Sequence, residues 1–117
     1  MNNFMNGPTT GPWTNKYYVK LTSVPHPTDH FVFIDEYQVT INDPIFLQDA
    51  TLGASQIKDW PAQYHNNCSG MSFADGHAEL HLWKYLGLPP ASYNGTTNLT
   101  GLGTNDLTAL QNFGHGP

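Results

Sequence analysis

The segment from Tyr64 to Trp83, YHNNCSGMSFADGHAELHLW, leaves this chain little freedom in how it folds. Gly70, Met71, Ser72 and Phe73 make a short, mostly apolar run ahead of Asp75-Gly76, and Ala78, Leu80 and Leu82 alternate with His77, Glu79 and His81 after it. A period of two describes a half-buried strand with one apolar and one polar face. Ala74-Asp75-Gly76-His77 supplies the turn, because Asp and Gly accept the left-handed backbone values that tight hairpins need. The segment predicts an antiparallel hairpin, and the rest of the chain must build outward from it.

Reading outward gives a single domain over residues 1–117, with 16–88 as its β-sheet core. Residues 1–15 hold Gly7-Pro8 and Gly11-Pro12 and form an irregular lead-in, with Phe4 and Trp13 as anchors. Lys16 to Val24 is β-rich and ends at Pro25 and Pro27, which cannot donate to a ladder. Phe31-Val32-Phe33-Ile34 is a continuous apolar run and predicts a central strand covered on both faces. Asn42-Asp43-Pro44 marks a turn and Ile45-Phe46-Leu47 a short strand; Gln48 to Gln63 is ambiguous by pattern, a helical turn near Ala54 to Trp60 being one reading. After the hairpin, Pro89-Pro90 ends the sheet, 91–104 is a Gly/Thr/Asn loop, and a helix over 105–113 is capped by Thr104 or Asn105. The fold class is α+β, mainly β: an antiparallel sheet of about four or five strands with a short C-terminal helix.

Composition removes some functions. The net charge is −5 with only four basic residues, so the positive patch that nucleic acid or anionic lipid requires is lacking. Charged residues are 11% of the chain, and Asn, Thr, Gly and Pro fill their place, a pattern frequent in extracellular proteins. Cys68 is the sole cysteine, so no internal disulfide forms; it suits a small residue at a strand entrance. No run approaches the roughly 18 apolar residues of a membrane helix, so this stretch makes no membrane contact of its own, and the first ten residues lack a signal-peptide pattern.

The residues that can carry chemistry are few. Asp35, Glu36, Asp43 and Asp75 are hard oxygen donors of the kind calcium prefers; structurally, Asp35 can instead cap backbone amides and Asp75 serve as a turn residue. His77 and His81 lie four apart, which on a strand separates them by ~13 Å, too far to share one zinc ion. His77, Glu79 and His81 are better read as a polar stripe facing solvent or a neighbouring subunit. His65, nine residues ahead of Asp75-Gly76, is placed to hydrogen-bond Asp75 or a strand carbonyl and pin the turn. No nucleophile elbow, phosphate loop or His-Glu-x-x-His is present.

That His65-x(9)-Asp75-Gly76 spacing resembles the signature of bacterial prepilin-type His-x(9)-Asp-Gly proteins, relatives of type IV pilins and type II secretion pseudopilins. FVFIDEYQVTIND at 31–43, the Trp60-Pro61-Ala62-Gln63-Tyr64-His65 approach, the Met-Asn-rich start at 2–7 and the segment from Asp106 to Gln111 resemble further parts of that family, in the same order. Tyr37 stands where the family usually has His, and the family's membrane-spanning helix has no counterpart here. Met1 aligns with an internal family position, which implies a piece of a longer protein. The resemblance implies a non-enzymatic structural subunit: the head of a filament-forming protein at the cell surface, outside the cell or in the periplasm. Its partners would be like subunits and a helix or helical chain, and its sheet would show an uncovered apolar face. Pseudopilins carry a structural calcium in a C-terminal loop, which favours the calcium idea. Two other classes stand beside this one. Trp13, Trp60, Trp83 and six tyrosines suit a surface glycan-binding module, and Asp35, Glu36, Asp43 and His65 suit a metal-dependent hydrolase.

Overall fold

A computed structural model describes residues 18–47, 56–95, 97–99, 101 and 103–115. Within these residues five strands and one α-helix follow in the order β1 (Phe31–Ile34), β2 (Gln56–Ile57), β3 (Cys68–Phe73), β4 (Ala78–Leu82), β5 (Thr97–Asn98) and α1 (Gly103–His115). The class is α+β and mainly β. The strands divide into two antiparallel sheets, a three-stranded one in the order β1-β3-β4 and a two-stranded one of β2 and β5.

The hairpin is the organising element. β3 alternates regularly: Ser69, Met71 and Phe73 are buried and Cys68, Gly70 and Ser72 are only partly covered. Gly76 adopts φ +96°, closing a three-residue loop in which Gly76 N–H donates to Phe73 O at 3.0 Å and Phe73 N–H to His77 O at 2.9 Å. Under this sheet lies the core of Phe31, Phe46, Ile57, Trp60, Met71, Phe73, Trp83, Leu86, Leu107 and Leu110. Ser69 ties it together: its fully buried hydroxyl donates to Ala62 O at 2.5 Å and accepts from Trp83 Nε1 at 2.6 Å. The helix contributes Leu107 and Leu110 to the core, and the Asp106 carboxylate in its first turn accepts from Tyr85 N at 2.5 Å.

Several expectations need correction. The Phe31–Ile34 strand is an edge of its sheet, not the centre, and only one face is covered. A bulge between Phe31 and Phe33 sets Phe31 opposite Phe73 and Phe33 opposite Ser72, so Phe31 enters the core and Phe33 turns outward. Within the expected first strand, Leu21–Ser23 is a single 3₁₀ turn; Lys16 and Tyr17 lie outside the described residues. Residues 45–47 give one bridge, at Phe46, instead of a strand, and the helical turn sought near Ala54 to Trp60 contains the strand β2. The loop over 91–104 contains β5, which pairs Asn98 with Gln56 and Thr97 with Ile57. The helix starts at Gly103, so Thr104 and Asn105 belong to its first turn. The lead-in over 1–15 lies outside the described residues.

Candidate functional site

The outer face of the three-stranded sheet is the most distinctive surface. β4 puts Ala78, Leu80 and Leu82 on it, opposite Ser72, Gly70 and Cys68, and β1 adds Phe33 opposite Ser72. Phe33 is 58% exposed, Leu80 63% and Leu82 54%, so none of the described residues covers them. The small side chains of β3 between the larger ones leave a shallow, open depression of about 560 Å³. The opposite side of β4 is the more covered one at its far end. His81 lies edge-on to Trp83 at 4.5 Å and to Phe113 at 4.9 Å, between ring centroids, while Glu79 stays exposed. The polar stripe of His77, Glu79 and His81 therefore lines the helix side of the hairpin, and only in part meets solvent.

Asp35 borders the bare face. β1 stops pairing with β3 at Ile34, and the chain moves across to a bridge between Glu36 and Pro61. Asp35 completes the ladder at the crossing: its N–H donates to Gly70 O at 3.0 Å, and its Oδ2 accepts from Gly70 N at 3.1 Å. A Cβ on residue 70 would come within 2.8 Å of that Oδ2, so glycine is what lets the carboxylate lie over the strand.

Two other carboxyls are withdrawn from solvent, Glu36 in part and Asp59 almost fully. Thr40 Oγ1 lies 2.9 Å from Glu36 Oε1 and accepts from Trp60 N at 3.2 Å. Burial pushes the Glu36 carboxyl up to about 7, the Thr40 hydroxyl opposing and the Asp59 and Asp43 charges adding. Asp59 accepts from Leu47 N–H; burial lifts it to about 6 against that bond, with Asp43 adding. The Tyr93 hydroxyl, buried without a hydrogen-bond partner among the described residues, is raised to about 12 by burial and then by these two carboxylates.

The candidate calcium ligands do not converge. Asp35 serves Gly70, Glu36 serves Thr40, Asp43 accepts from Ile45 N at 2.7 Å, and Asp75 is occupied at the hairpin tip. Among the described residues, no three His, Cys, Asp or Glu side chains are grouped so as to hold a metal ion. Asp75 Oδ1 accepts from His77 N at 3.1 Å and lies 2.6 Å from His77 Nδ1. Those bonds, the backbone one first, hold the Asp75 carboxyl below its ordinary value. His77 also stacks on Phe73, centroids 4.3 Å apart. The turn is thus pinned by His77, not through the Asp75 bond expected of His65. His65 is exposed and contributes its carbonyl, which accepts from Cys68 N at 3.2 Å ahead of β3. Tyr37 stacks on Tyr64 at 5.4 Å. Trp60 and Trp83 are 2% and 1% exposed and so belong to the core instead of forming glycan platforms, and Trp13 lies outside the described residues.

No family model, curated protein or solved structure matches this chain. No helix among the described residues is long and apolar enough to cross a membrane.

Proposed function

We propose that this chain is the globular head of a pilin- or pseudopilin-like subunit, a structural domain whose sheet rests on an apolar helix through Phe33, Ala78, Leu80 and Leu82. The observation that carries this reading is the outer face, uncovered by any of the described residues, where three large apolar side chains stand around the partly exposed Gly70. A face of this kind, on a domain of 117 residues with a substantial core elsewhere, fits a surface meant for a partner. The ordered resemblance from Phe31 to Gly76 supports the same reading, as do the carboxylates committed one by one to local backbone or side-chain partners. The helix would polymerise, and this domain would decorate the filament.

The test is immunogold labelling of intact cells and sheared surface material with antibodies raised against this chain. Label along filaments is the expected result. Antigen confined to soluble fractions, with unlabelled filaments, would overturn the proposal.

A further inference from the structure

We infer that the free edge of β4 is a self-complementary docking strand, and that two copies of this chain pair there antiparallel to make one continuous six-stranded sheet. The inference rests on backbone direction and residue order, independently of the filament reading.

β4 is the outer strand in the order β1-β3-β4 and pairs only with β3 among the described residues. Its odd-numbered residues face β3. Phe73 N–H donates to His77 O at one end, and Trp83 N–H donates to Asn67 O, 2.9 Å, at the other. In an antiparallel ladder every second residue makes the bonds to one neighbour, so the backbone groups of Ala78, Leu80 and Leu82 point to the open side. All three are exposed. The usual guards of an edge are missing from Ala78–Leu82, which has no proline, lysine or bulge.

Symmetry then selects a register. A two-fold axis can pass through either kind of residue pair in an antiparallel ladder, and Leu80, the middle residue of Ala78–Leu82, gives the longest overlap. Leu80 then meets Leu80 of the second copy, and Ala78 meets Leu82, small against large. Glu79 meets His81 in a non-hydrogen-bonded pair, the closer kind, with Cα atoms about 4.5 Å apart. Each Glu79, which already lies 3.5 Å from Nδ1 of its own His81, then also faces His81 of the other copy, where a parallel in-register pairing would have set like groups together. On the outer face, Leu80 and Leu82 of both copies merge into one apolar band. The second copy is favoured over an unrelated strand because this sequence is complementary to itself.

Sedimentation equilibrium over a wide concentration range is expected to give a reversible dimer. Leu80→Lys sets two lysines face to face at the axis and is expected to weaken dimerisation about tenfold or more. Its near-ultraviolet circular dichroism should be unchanged, because Leu80 is not in the core. In a Cys68→Ser background, Leu80→Cys is expected to crosslink into a dimer on mild oxidation, since hydrogen-bonded partners stand about 5.5 Å apart at Cα. Val39→Cys, exposed elsewhere, should not. A folded chain that stays monomeric at all concentrations would overturn the inference, and so would a dimer indifferent to Leu80→Lys.

Discussion

The Asp35 carboxylate lies over Gly70 as a substitute for a strand residue, its Oδ2 accepting the Gly70 N–H at 3.1 Å where β1 has turned away from β3. The contact ends the sheet on that side, and with no side chain at Gly70 the carboxylate lies directly over the strand backbone. Gly70→Ala would bring its Cβ to 2.8 Å from that oxygen and expel the carboxylate. The expected loss is ~1–2 kcal/mol, read by denaturant melts. Asp35→Ala is expected to cost about 1 kcal/mol, the double variant less than the sum of the two, because both remove one interaction.

Ser69 joins two parts of the core, giving its proton to Ala62 O and accepting from the Trp83 indole N–H. Ser69→Ala leaves a buried carbonyl and a buried N–H unpaired. We expect a loss of ~2–4 kcal/mol with altered tryptophan fluorescence. A neutral melt would mean that these groups find other partners.

The hairpin tip discriminates between two histidines. His77→Ala removes both the stack on Phe73 and the contact with Asp75, so its melting temperature should drop. His65→Ala keeps the carbonyl that accepts from Cys68 and should melt like the parent chain. Equal drops would restore a pinning role for the His65 ring.

Glu36 and Asp59 give stability a definite slope with pH. Their carboxyls are raised to about 7 and about 6 in the folded chain, so the fold holds protons that the unfolded chain releases. Their favourable contribution is complete below the unfolded values and is lost as pH rises through the folded ones. The melting temperature is therefore expected to decline between about pH 4 and pH 7, and Glu36→Gln should flatten that decline. Asp75 acts oppositely: with its carboxyl lowered, its contribution is present above the ordinary value and lost in acid.

The hairpin was legible because its signals are local: a strict alternation, an Asp-Gly turn, and Trp83 closing the strand. Which face of β4 would be covered was less so. Ala78, Leu80 and Leu82 look like a buried side by hydropathy, yet His81 takes the packed position because Phe113 arrives from the distant helix. β1 misled for a similar reason, since a bulge at Val32 leaves no trace in an unbroken apolar run. The pairing of β2 with β5 joins two-residue strands separated by the whole hairpin, far below what periodicity resolves. Of the two raised carboxyls, Glu36 follows an apolar run that marks it, while Asp59 sits in the Ala54–Trp60 segment, whose residues point to a helical turn and give no sign of its burial.

Titrating the isotope-labelled chain with an apolar helical peptide, followed by amide chemical shifts, tests most directly whether the bare face is a helix-docking surface. Phe33 is the deciding signal, because it lies on β1, at the opposite edge of the sheet from β4. Shifts at Phe33, Gly70 and Ser72 that disappear in Phe33→Ser are the predicted result. Binding elsewhere on the fold, or no binding at any peptide concentration, would contradict the account.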